Sequence, residues 1–175
     1  MSSTSLALIN PDHLFVQADA LLRQSGRGSL RQADLRRAVS NAYYGLFHTI
    51  LIAAADEVGG RRMRGDPLWS LVYRSISHQR LKNVCSDLRA HTLKPKLKPY
   101  EPARGFGGHV AAIAGAVVEL QDRRHVADYD PSASLLRLDA RAALQAARSA
   151  VDRLSQLTED QRKAFLFLIL FEARG

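Results

Sequence analysis

The sequence predicts an all-α fold, a single-domain bundle of five or six helices. Three observations carry that expectation. Apolar residues recur at three- and four-residue spacing in successive windows, and an Asn or Asp followed by proline stands ahead of three of them, at Asn10-Pro11, Asp66-Pro67 and Asp130-Pro131. No window alternates apolar and polar residues as a half-buried strand would. Length fits one domain, residues 1–175, with a core of about 11–172, and no internal repeat or second composition regime divides it.

Asn10 is a helix N-cap with Pro11 at the first helical position, and Leu14, Ala18, Leu21 and Leu22 mark the apolar face of a first helix ending near Gly26. Gly26-Arg27-Gly28-Ser29 reads as a turn. The second helix carries the longest stripe, Leu35, Ala38, Val39, Ala42, Tyr43, Leu46, Ile50 and Ala53, and ends about Asp56 before Gly59-Gly60. Along its other side run Arg37, Ser40, Asn41, Tyr44 and His48, as on a helix that packs on one side and faces a cleft or partner on the other. Exposed polar tips on packed side chains would give the same pattern. Arg61-Arg62-Met63-Arg64 reads as a solvated basic turn. Asp66-Pro67 opens a third helix with Leu68, Trp69, Leu71, Val72 and Ile76, and His78 falls at a bend before Leu81 to Leu88. A mobile basic loop of about 91–108 follows, with three lysines, three prolines and three glycines, a length seldom left without function. The next helix runs from about Gly107 to Tyr129. Asp130-Pro131 then caps another, with Leu136, Ala140, Ala143, Ala147, Val151 and Leu154 on its buried face. Thr158 to Gln161 is a capping box for a last helix, apolar nearly all round from Ala164 to Phe171, which its own bundle or a second subunit must cover.

Charge narrows the partners. The chain carries 25 basic and 17 acidic side chains, a net +8 with pI near 10.1, and 20 of the basic residues are arginine. Arginine offers a planar fork suited to phosphate, so RNA or a nucleotide is the first partner to consider; arginine richness also follows from GC-rich coding. Cys85 is the lone cysteine, which excludes an internal disulfide and fits a reducing cytoplasm, and it sits among apolar neighbours as inert core. The first ten residues lack the basic region of a leader, and the apolar run 164–171 is too short to span a bilayer, so a cytoplasmic protein without membrane attachment is expected.

The strongest departure from local rules lies in Gln121 to Pro131. Val110, Ile113, Ala114, Val117 and Leu120 form one helical face, and that line continues into Arg124 and Asp128. An arginine on the core side needs a partner, and Asp128 one turn on supplies it. His125 and Tyr129 form a second pair at the same spacing. Asp128 also lies in the last turn of its helix, where the dipole disfavours an acid. Two readings fit: a functional site, or a structural ion pair that closes the helix end.

Three segments resemble the HEPN-domain family. Ser40-Asn41-Ala42-Tyr43-Tyr44-Gly45-Leu46-Phe47-His48 is similar to the family's double-tyrosine, phenylalanine-histidine helix. Arg124-His125-Val126-Ala127-Asp128-Tyr129-Asp130-Pro131 resembles the Arg-x-x-Ala-Asp-Tyr ending of one branch, and Tyr73 to His78 with Lys82 to Cys85 fits that branch. Asn41 stands where the family has arginine. The resemblance implies an all-α bundle that forms a homodimer with the charged helix ends facing each other across a cleft. It further implies a metal-independent endoribonuclease, or a non-catalytic partner of a nucleotidyltransferase in a toxin–antitoxin or defence pair. Active members carry arginine, four to six residues, then histidine. Arg104 and His109 match that spacing, but in a chain this rich in arginine such a match arises readily by chance, and it lies in the glycine-rich loop. At the family's own site Arg124 keeps its place while His125 stands directly beside it and aspartate occupies the histidine's region.

Cleavage of RNA without metal needs the 2′-hydroxyl deprotonated, the phosphate charge stabilised and the 5′-oxygen protonated. Arg124 would clamp phosphate, His125 or His48 would move protons, Asp128 would orient one of them, and Tyr129 or Tyr44 would bond substrate. Ser40, Tyr44, His48, His78 and Arg104 are the expected substrate-binding residues. No cofactor is called for, and no histidine or carboxylate set has metal-ligand spacing, since His125 and Asp128 three apart are commonplace. An Arg124–Asp128 pair is partly self-neutralised, which suits a non-catalytic interaction module instead.

Overall fold

A computed structural model describes residues 9–23 and 31–173. The expected turn at Gly26 to Ser29 and the end of the first helix at Gly26 lie outside the described residues. Those residues form an all-helical bundle of seven α-helices and two short 3₁₀ segments: α1 Pro11–Arg23, α2 Gln32–Gly59, α3 Pro67–Arg74, α4 His78–Leu88, α5 Gly107–Tyr129, α6 Arg137–Ser155 and α7 Glu159–Leu170. The count exceeds five or six because α3 and α4 are separate helices, divided where Ser77 caps α4 by accepting from the Arg80 amide at 3.1 Å.

The long helix α2 is the axis of the bundle, packed against α1, α3, α5, α6 and α7, while α4 covers α5. Enclosure on so many sides explains why its polar line is not a free face: Ser40 and Asn41 are buried, Tyr44 and His48 half-buried, and only Arg37 is exposed. Asn41 donates from Nδ2 to Gln17 Oε1 at 2.9 Å and so ties α2 to α1. Gly45 lets Phe15 of α1 lie against the α2 backbone, because a Cβ there would stand 2.5 Å from the Phe15 ring.

Three expected caps form where the sequence put them. Asn10 accepts from the Asp12 amide at 3.0 Å with Pro11 beginning α1, Asp66 accepts from the Leu68 amide at 2.8 Å with Pro67 beginning α3, and Thr158 and Gln161 exchange bonds at 3.3 Å ahead of α7. The fourth does not. Asp130-Pro131 begins no helix; Asp130 accepts from the Ser132 amide and hydroxyl at 2.9 and 2.6 Å, and α6 starts six residues later. The reason lies on α2. Arg36 donates from Nη1 to the carbonyls of Ala127 and Asp130 at 2.9 and 2.7 Å and from Nη2 to Ala133 at 2.5 Å, while Gln32 exchanges two 2.9 Å bonds with Leu135. Held by these bonds, the segment stays a loop, and Leu136 is exposed rather than buried.

The segment 91–108 also has structure of its own. Pro95–Tyr100 is a 3₁₀ turn, and Leu97 and Phe106 are buried, so the basic loop is pinned at two points. Arg61–Met63 is a second 3₁₀ turn, and Arg64 beyond it grips Asp56, which also accepts from Trp69 Nε1 at 3.1 Å. Leu68 and Leu71 of α3 point to solvent at 69% and 67% exposure. On so short a helix Trp69 supplies the burial. No helix among the described residues is long and apolar enough to cross a membrane.

Candidate functional site

The charged end of α5 is built against the middle of α2. Arg124 is 8% exposed, on the same face as Val110, Ile113, Val117 and Leu120. Its guanidinium carbon lies 5.4, 5.6 and 5.8 Å from the ring centres of Tyr43, Tyr44 and Tyr129, within reach of a cation–π attraction from three rings. Asp128 is its ionic partner, but at 3.5 Å, near the limit of a useful hydrogen bond. The closer bond to that carboxylate comes from Ser40 Oγ, so serine holds the acid while the arginine is left under-satisfied.

Two buried side-chain polar atoms lack a partner among the described residues, Arg124 Nε and Gln121 Oε1. They are a donor and an acceptor three residues apart on one face of α5. A buried polar atom without a partner costs about 1–3 kcal/mol, so the site is short of one polar group.

Beside the arginine stands an aromatic–imidazole layer. Tyr43 Oη lies 2.7 Å from His78 Nδ1 of α4, and Tyr73 Oη of α3 lies 2.6 Å from His48 Nδ1. The His78 ring packs 4.0 Å from Phe47 and 5.8 Å from Tyr44, and Tyr44 stacks on His48 at 6.2 Å. Burial lowers the pKa of His48, and burial followed by the nearby charges of Arg124 and His48 lowers that of His78. Both imidazoles therefore favour their neutral form. Burial pushes the Tyr43 hydroxyl well up, opposed by Arg124, so it stays protonated. Cys85 is buried and free, its thiol pushed up by burial.

Arg124, Asp128, Ser40, Tyr44, His48 and His78 thus converge from α2, α4 and α5. The remaining candidates do not all join them. His125 and Tyr129 pair with each other at 5.0 Å, but His125 is exposed, because one residue along a helix is about 100° around it. Arg104 is exposed ahead of the opposite end of α5, roughly 25 Å along the helix from Arg124 at 1.5 Å per residue. Its spacing partner His109 faces Arg153 instead, at 3.4 Å. Sequence reasoning missed Tyr43, assigned to the core stripe, as well as Tyr73 and the Arg36 clamp. Arg36 could have been found: it lies four residues before Ser40, on the same line of α2 that reaches the site.

No group of three or more His, Cys, Asp or Glu side chains among the described residues converges as a metal site. Comparison with protein-family models, curated proteins and solved structures found no match to the chain. Fold and site together define an all-helical bundle with a buried arginine, ringed by tyrosines, next to two hydrogen-bonded histidines.

Proposed function

We propose that this chain is a HEPN-like protein acting on RNA, with Arg124 as the phosphate anchor and metal-independent cleavage at the 2′-hydroxyl as its chemistry. The observation that carries the reading is the under-satisfied Arg124: a nearly buried cation whose carboxylate partner is 3.5 Å away and whose Nε–H has no acceptor. A phosphate oxygen supplies what is missing. Tyr44 and Tyr129 offer faces on which a base could stack. The excess of basic residues adds long-range attraction. In this reading the protein works in the cytoplasm as a homodimer, within a toxin–antitoxin or defence setting.

Binding of a labelled single-stranded oligoribonucleotide in chelator, measured across salt concentrations, tests the anchor. Affinity is expected to fall with salt, and Arg124→Ala is expected to weaken it and flatten the log–log slope by about 0.7, the share of one phosphate contact on a single strand. Binding that ignores salt, or survives Arg124→Ala unchanged, would refute the anchor. Sedimentation of the purified protein should give twice 19.4 kDa; a monomer at all concentrations would remove the dimer from the reading.

A second reading has its own support. Leu68 and Leu71 on α3 leave an apolar face uncovered, which suits a module that docks on a protein such as a nucleotidyltransferase or antitoxin. That reading expects no RNA affinity, and a complex with the partner broken by Leu68→Asp.

A further inference from the structure

We propose that His78, rather than His125 or His48, is the proton-transfer group of the Arg124 site, so that arginine and histidine reach the reaction from different helices, α5 and α4. The inference rests on the reading that this site acts on RNA. In sequence the two residues are 46 positions apart and carry no spacing motif. Tyr43 is what joins them: Arg124 lies 5.4 Å from its ring centre, and its hydroxyl holds His78 Nδ1 at 2.7 Å.

The other two histidines are worse placed. His125 is exposed and stacks only with Tyr129. His48 lies a turn further along α2, with its Nδ1 held by Tyr73 of α3 rather than by the tyrosine that Arg124 covers. Phe47 and Tyr44 fix the plane of the His78 ring, at 4.0 and 5.8 Å. Its Nε2 makes no hydrogen bond and is not among the buried unpartnered atoms, so it opens toward solvent and could meet a substrate.

The groups facing His78 are Tyr43, Tyr44 and His48 of α2 and Arg124 of α5. None is an acid, so nothing there holds the imidazole protonated, and it enters the reaction as a base. The reaction takes the tautomer in which Nδ1–H donates to Tyr43 Oη and the lone pair lies on Nε2. The 2′-hydroxyl proton passes to Nε2, the 2′-oxygen forms its bond to phosphorus, and the bond from phosphorus to the 5′-oxygen breaks. Water protonates the departing 5′-oxygen, and the resulting hydroxide takes the proton from His78. The products are a 2′,3′-cyclic phosphate and a 5′-hydroxyl, with nothing consumed. Arg124 holds the phosphate charge throughout. Tyr43 is a positioning residue.

The test is a single-turnover pH–rate profile on the labelled oligoribonucleotide in chelator, for the parent, His78→Gln and Tyr43→Phe. For the parent, an acid limb below the ordinary histidine range is expected, together with cyclic-phosphate ends. At saturating RNA, His78→Gln should cut about 10²–10⁴-fold more slowly than the parent and lack that limb. Tyr43→Phe keeps the ring, and should shift the limb and lower the maximal single-turnover rate while leaving the half-saturating concentration in place. If the parent cuts and His78→Gln keeps both rate and limb, the assignment is overturned while the RNA reading stands. If the parent binds RNA but cleaves none at any pH, or leaves 3′-hydroxyl ends, the assignment falls and the phosphate anchor survives. Absence of RNA binding by the parent would remove both.

Discussion

At the scale of single residues, the contact between Gly45 and Phe15 shows how one missing Cβ sets a helix packing. Alanine in mid-helix usually gains about 1 kcal/mol over glycine. Here the added methyl would stand 2.5–2.9 Å from three atoms of a ring that is itself 6% exposed, and overpacking of that kind costs about 1–3 kcal/mol. The clash wins. Gly45→Ala is expected to destabilise the protein by up to about 2 kcal/mol in a denaturant titration, and Phe15→Leu should return part of that loss in the double variant. A more stable Gly45→Ala would show that α1 yields freely. The same scale explains what was legible at the site. Arg124 was visible in sequence because a charge on an apolar helical line breaks a rule of burial. Tyr43 was not, because its ring obeys the core pattern and only its hydroxyl takes part. The resemblance alone places His78 among the substrate-binding residues; that Tyr43 would join it to Arg124 follows from the packing of α4 on α5 rather than from spacing along either.

At the scale of elements, the α5–α6 connection is decided by a guanidinium on a third helix. Periodicity located α2, α5 and α7 correctly, and the local capping signals of α3 and α7 held because nothing distant competes for those backbone groups. The Asp130-Pro131 signal is similar in kind and failed where Arg36 and Gln32 of α2 bond the backbone of 127–135 and hold it as a loop. Arg36 makes three bonds to carbonyls, and removing a charged donor from such a set costs about 2 kcal/mol or more. Arg36→Met is therefore expected to lower stability by about that amount and to speed amide hydrogen exchange across residues 127–136. Exchange in that segment unchanged from the parent would mean that the loop holds itself. Because Asp128 and Tyr129 lie on the stretch that Arg36 fastens, RNA affinity should weaken with it.

At the scale of the whole molecule, the half-buried imidazole layer couples the site to global stability, and the sign follows from the direction of its shifts. Burial lowers the pKa of His48, and burial with Arg124 and His48 nearby lowers that of His78, relative to about 6.5 in the unfolded chain. Between the folded and unfolded values the unfolded chain binds more protons, so acidification pulls the equilibrium toward unfolding. The stability these histidines permit is complete above about pH 6.5 and is lost as pH falls below it, until the folded forms also protonate. Carboxylates contribute their own acid loss, but mostly below about pH 5, which leaves a window in which the histidines dominate. Thermal melts stepped from pH 7.5 to 5.5 should show a falling Tm in the parent and a shallower fall in a His48→Gln/His78→Gln variant. A parent Tm that is flat or rises over that interval would mean that neither imidazole is held neutral by the bundle. The packing that readies His78 as a base is then also what makes the fold acid-sensitive, since protonating that ring places a second positive charge beside Arg124 within a layer that contains no acid to receive it.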